Sequence, residues 1–517
     1  MKIKEQLRFH ARPLIIGAIA AVLAAGLWFG FGPRPAPVGV SLSDIPFYKL
    51  PFGPDETGAD RPFYPSRLKT GTGLMSDPSR LPSSAECAAC HAQEFEEWAA
   101  SLHAIADRDL VYEAVVEANE DSAHHPEQAR FCEGCHAPNE MLSGRVNRFT
   151  SVAPADALTE GVACITCHTA THADPQKGNG DITLAYDRAE AERDGPQGAA
   201  LLADPRAHLA AYGAPDTAAL MKSADLCGAC HTEIYDASNS KAETSQTVQS
   251  TYREWGESWY AQNGVTCQDC HMADDPAAQV MALREGDLSK PARYSHRIIG
   301  ANHVMADTGL GDALSVLRGG LLPGLSAAVN HATLNEQARQ TEAFLRTAAG
   351  LDLRGQSATA EGLHIDIAVQ NLGAGHNLPT GVNDQKHIWL EVVLKDASGA
   401  EVFRSGGGAE RLVAEDPEAV VWIEHFLAPD GSRLTDHLTF DTAKVAWIRK
   451  PIPARGEDVV GYDITLPQGA QGPFRLEARL NYKIALPDLI YTSLRRDLGV
   501  PSFTLAELSV ELDGLAP

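Results

Sequence analysis

All ten cysteines of this 517-residue chain fall into five copies of one pattern. They are Cys87-Ala-Ala-Cys90-His91, Cys132-Glu-Gly-Cys135-His136, Cys164-Ile-Thr-Cys167-His168, Cys227-Gly-Ala-Cys230-His231 and Cys267-Gln-Asp-Cys270-His271. C-x-x-C-H is the attachment site of a c-type haem. Its two thiols add across the vinyl groups of the ring as thioethers. The histidine that follows then lies beneath the iron as the proximal ligand. Zinc also takes C-x-x-C pairs, but it does not require a histidine directly after each one. Disulfides do not explain the histidines either. Only 19 of the 517 residues are histidine, so its recurrence after all five pairs is not a matter of composition. The expectation is five covalent haem c groups, tethered by Cys87, Cys90, Cys132, Cys135, Cys164, Cys167, Cys227, Cys230, Cys267 and Cys270. Their proximal ligands are His91, His136, His168, His231 and His271.

The elements that carry these sites are short. Hydrophobic periodicity is weak from 81 to 310, as expected where porphyrins rather than side chains fill the core. One helix is legible in the stretch from His91 to Ala104, with Phe95, Trp98 and Leu102 on one face. An internal repeat is also present. Glu97-Trp98 follows the first site and Glu254-Trp255 follows the fourth. Gly161-Val162 introduces the third site and Gly264-Val265 the fifth. Tyr260 stands in the later half where the earlier half has His103.

Upstream, an uncharged apolar run from Leu14 to Gly32 follows Lys2, Lys4, Arg8 and Arg12. It is long enough to span a bilayer, and the basic flank orients the body to the outer side. Residues 1–32 are therefore expected to be an uncleaved membrane anchor, with a cleaved signal peptide as the alternative. Residues 33–80, rich in Pro and Gly, read as a linker. After the haem region at 81–310, a helical connector is expected at 311–355. Thr333 and Glu336 are placed for a capping box, and Gly350 to end the helix. From 356 to 517 the period changes to two. Leu363, Ile365, Ile367 and Val369 alternate with polar or small residues, and the pattern recurs at Val460–Leu466, Phe474–Tyr482 and Leu508–Leu512. This predicts a C-terminal antiparallel β-sandwich. The expected fold class is thus α+β and multidomain, with a mainly helical, loop-rich haem region ahead of the sandwich. The formal net charge of −25 argues against nucleic-acid binding and suits a basic protein partner.

The order C-x-x-C-H, Glu97-x-x-x-Ser101-x-His103, Cys132–Pro138, Glu160-Gly-Val-x-Cys164 and Gly264-Val-x-Cys267 resembles the multihaem cytochromes c related to the tetrahaem electron acceptor of hydroxylamine oxidoreductase. The resemblance spans roughly Ser83 to His303. This chain differs in having five sites rather than four, in Tyr260, and in its long C-terminal extension. The resemblance implies that His103 is an axial ligand. His296 and His303, just after the last site, are further candidates for the distal faces, as are His376 and His172. His124 and His125 are adjacent, so they can serve one iron at most. His208, His331, His364, His387, His425 and His437 read as surface or core residues.

The function expected is electron relay between redox partner proteins on the periplasmic side of the membrane. The alternative is an oxidoreductase acting on a small nitrogen or sulfur compound at one open haem. Tyr260, which could leave an iron five-coordinate, is the residue that raises it.

Overall fold

A computed structural model describes residues 66–73, 80–107, 130–142, 160–237, 240–302, 331–407, 418–435, 439–485 and 500–512, apart from single positions within or between these ranges. The Leu14–Gly32 run, His10, His124, His125 and His303 lie outside the described residues. Among the described residues no helix is long and apolar enough to cross a membrane.

Each attachment motif folds as about one helical turn. Four lie within the helices Arg130–His136, Cys164–His168, Ala224–Cys230 and Cys267–His271. The first begins at the end of the helix Ser84–Cys87. The spacing is the cause. Residues three apart share a helix face, so the two thiols of a motif project together. The next amide then closes the turn, as in His91 N–H to Cys87 O and His231 N–H to Cys227 O, both 2.9 Å. Helices this short do not hold in isolation, and side chains cap three of them. Ser83 with Glu86 and Thr266 with Asp269 form capping boxes, and Ser223 accepts from the Asp225 amide.

Between the motifs run strands too brief to leave a periodic signal. β1 (Lys69–Thr70), β2 (Ala170–Ala173) and β3 (Ile182–Leu184) form one small sheet with β3 in the middle. β4 (Glu233–Tyr235) and β5 (Gln246–Gln249) form a second. The region also has a side-chain core of its own. Leu68, Met141, Leu142, Ile165, Leu184 and Tyr186 are buried in one cluster. The expectation that porphyrins alone would fill this region is corrected there.

The C-terminal region is strand-rich. The helix His331–Ala348 passes straight into β6 (Ala349–Ala358), so strand structure begins at residue 349. Thr333 lies inside that helix instead of capping it, and Gly350 belongs to the strand. Leu351 and Leu353 decide this: they pair with Val369 and Ile367 of β7 (Gly362–Asn371). The remaining strands are β8 (His387–Lys395), β9 (Glu401–Ser405), β10 (Val420–Trp422), β11 (Glu424–Leu427), β12 (Lys444–Trp447), β13 (Glu457–Thr465), β14 (Phe474–Lys483) and β15 (Phe503–Leu512). One antiparallel sheet has the order β13-β7-β6. A second has the order β10-β8-β14-β15, with β9 also on β8. β11 and β12 pair separately. Period-two alternation turns Leu363, Ile365 and Ile367, Val460 and Ile464, and Leu390, Leu476 and Leu480 into one shared apolar cluster. The two sheets therefore supply a single core.

Candidate haem sites

The cysteines and histidines of all five motifs line one connected cavity of about 2430 Å³. Every one of the ten thiols is free, with no disulfide among them. Four of the five motif histidines face a second imidazole at nearly one separation. His91 and His208 have ring centres 6.3 Å apart, His168 and His296 6.4 Å, His271 and His376 6.3 Å, and His103 and His231 6.5 Å. Two metal–imidazole bonds of about 2 Å each, with roughly 1.1 Å from each nitrogen to its ring centre, give about 6.2 Å. These pairs are spaced to hold one iron between them. The residues present therefore fit haem c, with thiols to tether it and imidazoles to ligate it.

The rings are also oriented. Nδ1–H of His271 donates to Ile299 O at 2.6 Å, and that of His376 to Asn377 O at 2.9 Å. His136 donates likewise to Ala106 O at 3.0 Å. Occupying Nδ1 leaves Nε2 to bind metal. Burial holds the imidazoles neutral, the form that ligates. It lowers His103 and His271 to about 4 and His231 to about 3, and it depresses His168, His296 and His376.

Several expected residues lie elsewhere than the sequence suggests. His103 follows the first motif but faces His231 of the fourth. His208, which carries no motif signal, is the imidazole opposite His91. Its Nδ1 lies 3.3 Å from Glu192 Oε1. His172 is exposed on β2 and does not line the cavity that the five motifs share. His136 differs from the other four motif histidines. The Tyr112 ring lies parallel to it at 4.2 Å, a van der Waals stack with no room for a metal between the rings.

The repeat has a physical basis. Trp98 Nε1–H donates to Val162 O at 2.8 Å, and Trp255 Nε1–H to Val265 O at 2.9 Å. Each bond ties the tryptophan to the chain entering a later attachment turn, the third for Trp98 and the fifth for Trp255. Gly161 and Gly264 both take positive φ, at 59° and 70°. A Cβ on Gly161 would lie 2.3 Å from His103 O, whereas one on Gly264 meets nothing within 4 Å. Gly264→Ala is thus expected to cost about 1–2 kcal/mol for the left-handed backbone alone. Gly161→Ala adds a backbone clash and is expected to cost roughly 3 kcal/mol or more. Denaturant midpoints of the two variants check the difference, and equal losses would contradict it.

The motifs are interleaved. The thiol of Cys87 contacts that of Cys164, Cys135 contacts Cys230, and Cys227 contacts Cys267. Cys167 and Cys230 pack against one apolar cluster, and Cys167 lies within charge–charge range of Cys227 and Cys230. Backbone contacts agree: Gly180, whose amide donates to Ala229 O at 2.9 Å, lies against Cys135. The first site therefore adjoins the third, and the fourth adjoins the third, the fifth and the second.

Residues 86–169, with the first three attachment motifs and the Trp98–Val162 contact, match the family model described as cytochrome c554 and c-prime. Over that stretch the chain is similar to the cytochromes c of that family. Its fold is similar to that of a penta-heme cytochrome c552 from Thermochromatium tepidum, with a TM-score of 0.52 and 17% identity over 84% of this chain and 100% of that one. At that identity the likeness is one of fold. No match to the curated proteins was found. The family match supports covalently bound haem c at the first three motifs.

Proposed function

We propose that this chain is a pentahaem electron relay on the periplasmic side of the membrane, anchored by Leu14–Gly32 and passing electrons between protein partners. The four imidazole pairs carry this reading. Haem iron supplies one-electron chemistry, and two histidine ligands favour carriage at lower potential than a histidine and a methionine would. The chain's own residues do the rest. Thioether tethers would fix the order of the sites, the four imidazole pairs would hold iron at the sites of His91, His168, His231 and His271, and the largely apolar cavity wall would keep water away. The contacts between motifs support a branched route, in which the fourth site joins the third, the second and the fifth, and the first is reached through the third. Excess acidic residues suit a basic partner. The strand-rich region, read as a β-sandwich, supplies His376 and packs on the fifth site.

The enzymatic alternative loses its main residue. Tyr260 is buried, with its ring against Gly375 and the Arg455 guanidinium 5.7 Å from the ring centre. His376 stands opposite His271, where an open position would be needed.

Mass spectrometry of the intact mature protein tests the count. The expected mass exceeds that of the polypeptide by five haems, and four or fewer in fully matured material would refute it.

A further inference from the structure

The Glu-Trp pairs of the repeat reach beyond the tryptophan bonds. Glu97 is 6% exposed and Glu254 7%. The Glu97 carboxylate accepts the backbone N–H of His296 at 2.8 Å and is gripped by Arg293 at 2.8 and 2.9 Å. The Glu254 carboxylate accepts the backbone N–H of Asn377, next to His376, at 3.3 Å and the Thr380 hydroxyl at 2.6 Å. Ser250 Oγ donates to its other oxygen at 2.5 Å. The two glutamates thus hold the two segments that bring an imidazole opposite His168 and His271. The adjoining tryptophans hold the proximal side of the same two sites, through Val162 and Val265. Each Glu-Trp pair spans one site from one helix and fixes both of its walls.

We propose that Glu97 and Glu254 are positioning residues for the distal ligands His296 and His376, and that this grip on both walls is what the internal repeat preserves. The assignment rests on the imidazole pairs being iron ligands. It also explains how segments far apart in sequence deliver their histidines at one spacing. The loop that bears His376 belongs to the strand-rich region, so Glu254 fastens that region to the fifth site. A buried carboxylate that accepts a backbone amide forms a strong, charge-assisted hydrogen bond. Removing it frees the segment and leaves the amide unsatisfied.

The test uses the full chain, matured with haem, and compares Glu97→Ala and Glu254→Ala with His296→Ala and His376→Ala. Mass spectrometry fixes the haem count, and electron paramagnetic resonance of the oxidised protein reads spin state. Each glutamate variant is expected to retain five haems and to convert one of them to high spin, matching its histidine counterpart. Added imidazole should restore the low-spin signal. Glu254→Gln and Glu97→Gln keep the shape of the side chain and serve if the alanine variants do not mature. Their reduced forms are expected to bind carbon monoxide at one haem. Unchanged spectra in the glutamate variants, beside changed ones in the histidine variants, would overturn the positioning role alone. Unchanged spectra in the histidine variants as well would remove the ligand assignment and this inference with it.

Discussion

Replacing His103 with alanine is expected to strip an axial ligand from the fourth site and leave the first intact. The chain order suggests the reverse, since His103 follows the first motif closely. Its ring lies 6.5 Å from that of His231, while His91 faces His208 instead. In the oxidised protein one haem of five should turn high spin. His208→Ala should do the same at the first site, and the double variant should show two high-spin haems, since the two sites do not share these ligands. If His103→Ala and His208→Ala alter the same haem, the pairing across motifs is wrong.

The second large effect concerns the route. With Cys227 and Cys230 both replaced by alanine, the fourth site loses its tethers and the intact mass should fall by one haem. The first and third sites remain neighbours through Cys87 and Cys164. The second and fifth lose the motif that each of them adjoins. Electrons delivered in less than stoichiometric amount should then equilibrate in several separated phases, where the native protein shows one. A single phase at the native rate would remove the fourth site from the centre of the relay.

Much of this was legible in the chain because the chemistry is local. A tether and its proximal ligand sit within five residues, so the five attachment turns could be placed residue by residue. The long strands β7, β13, β14 and β15 were legible for the same reason, through their alternation. The imidazoles opposite the motif histidines were not. His208 lies on the helix Arg206–Tyr212 with no motif around it, and only tertiary folding brings it to His91. His103 stood out as a candidate but could not be assigned to a site, because its helical segment crosses over to His231 of the fourth motif. β10, β11 and β12 are too short for a periodic signal, and β6 was concealed by the helix that runs into it without a loop. Tyr260 stood out as a departure from the repeat, yet only the structure placed His376 beside it.

Electron paramagnetic resonance of the oxidised native protein tests the central claim, that paired imidazoles close the haem sites for electron carriage. The account predicts low-spin ferric signals for the four sites of His91, His168, His231 and His271. A high-spin component amounting to two haems or more would contradict it.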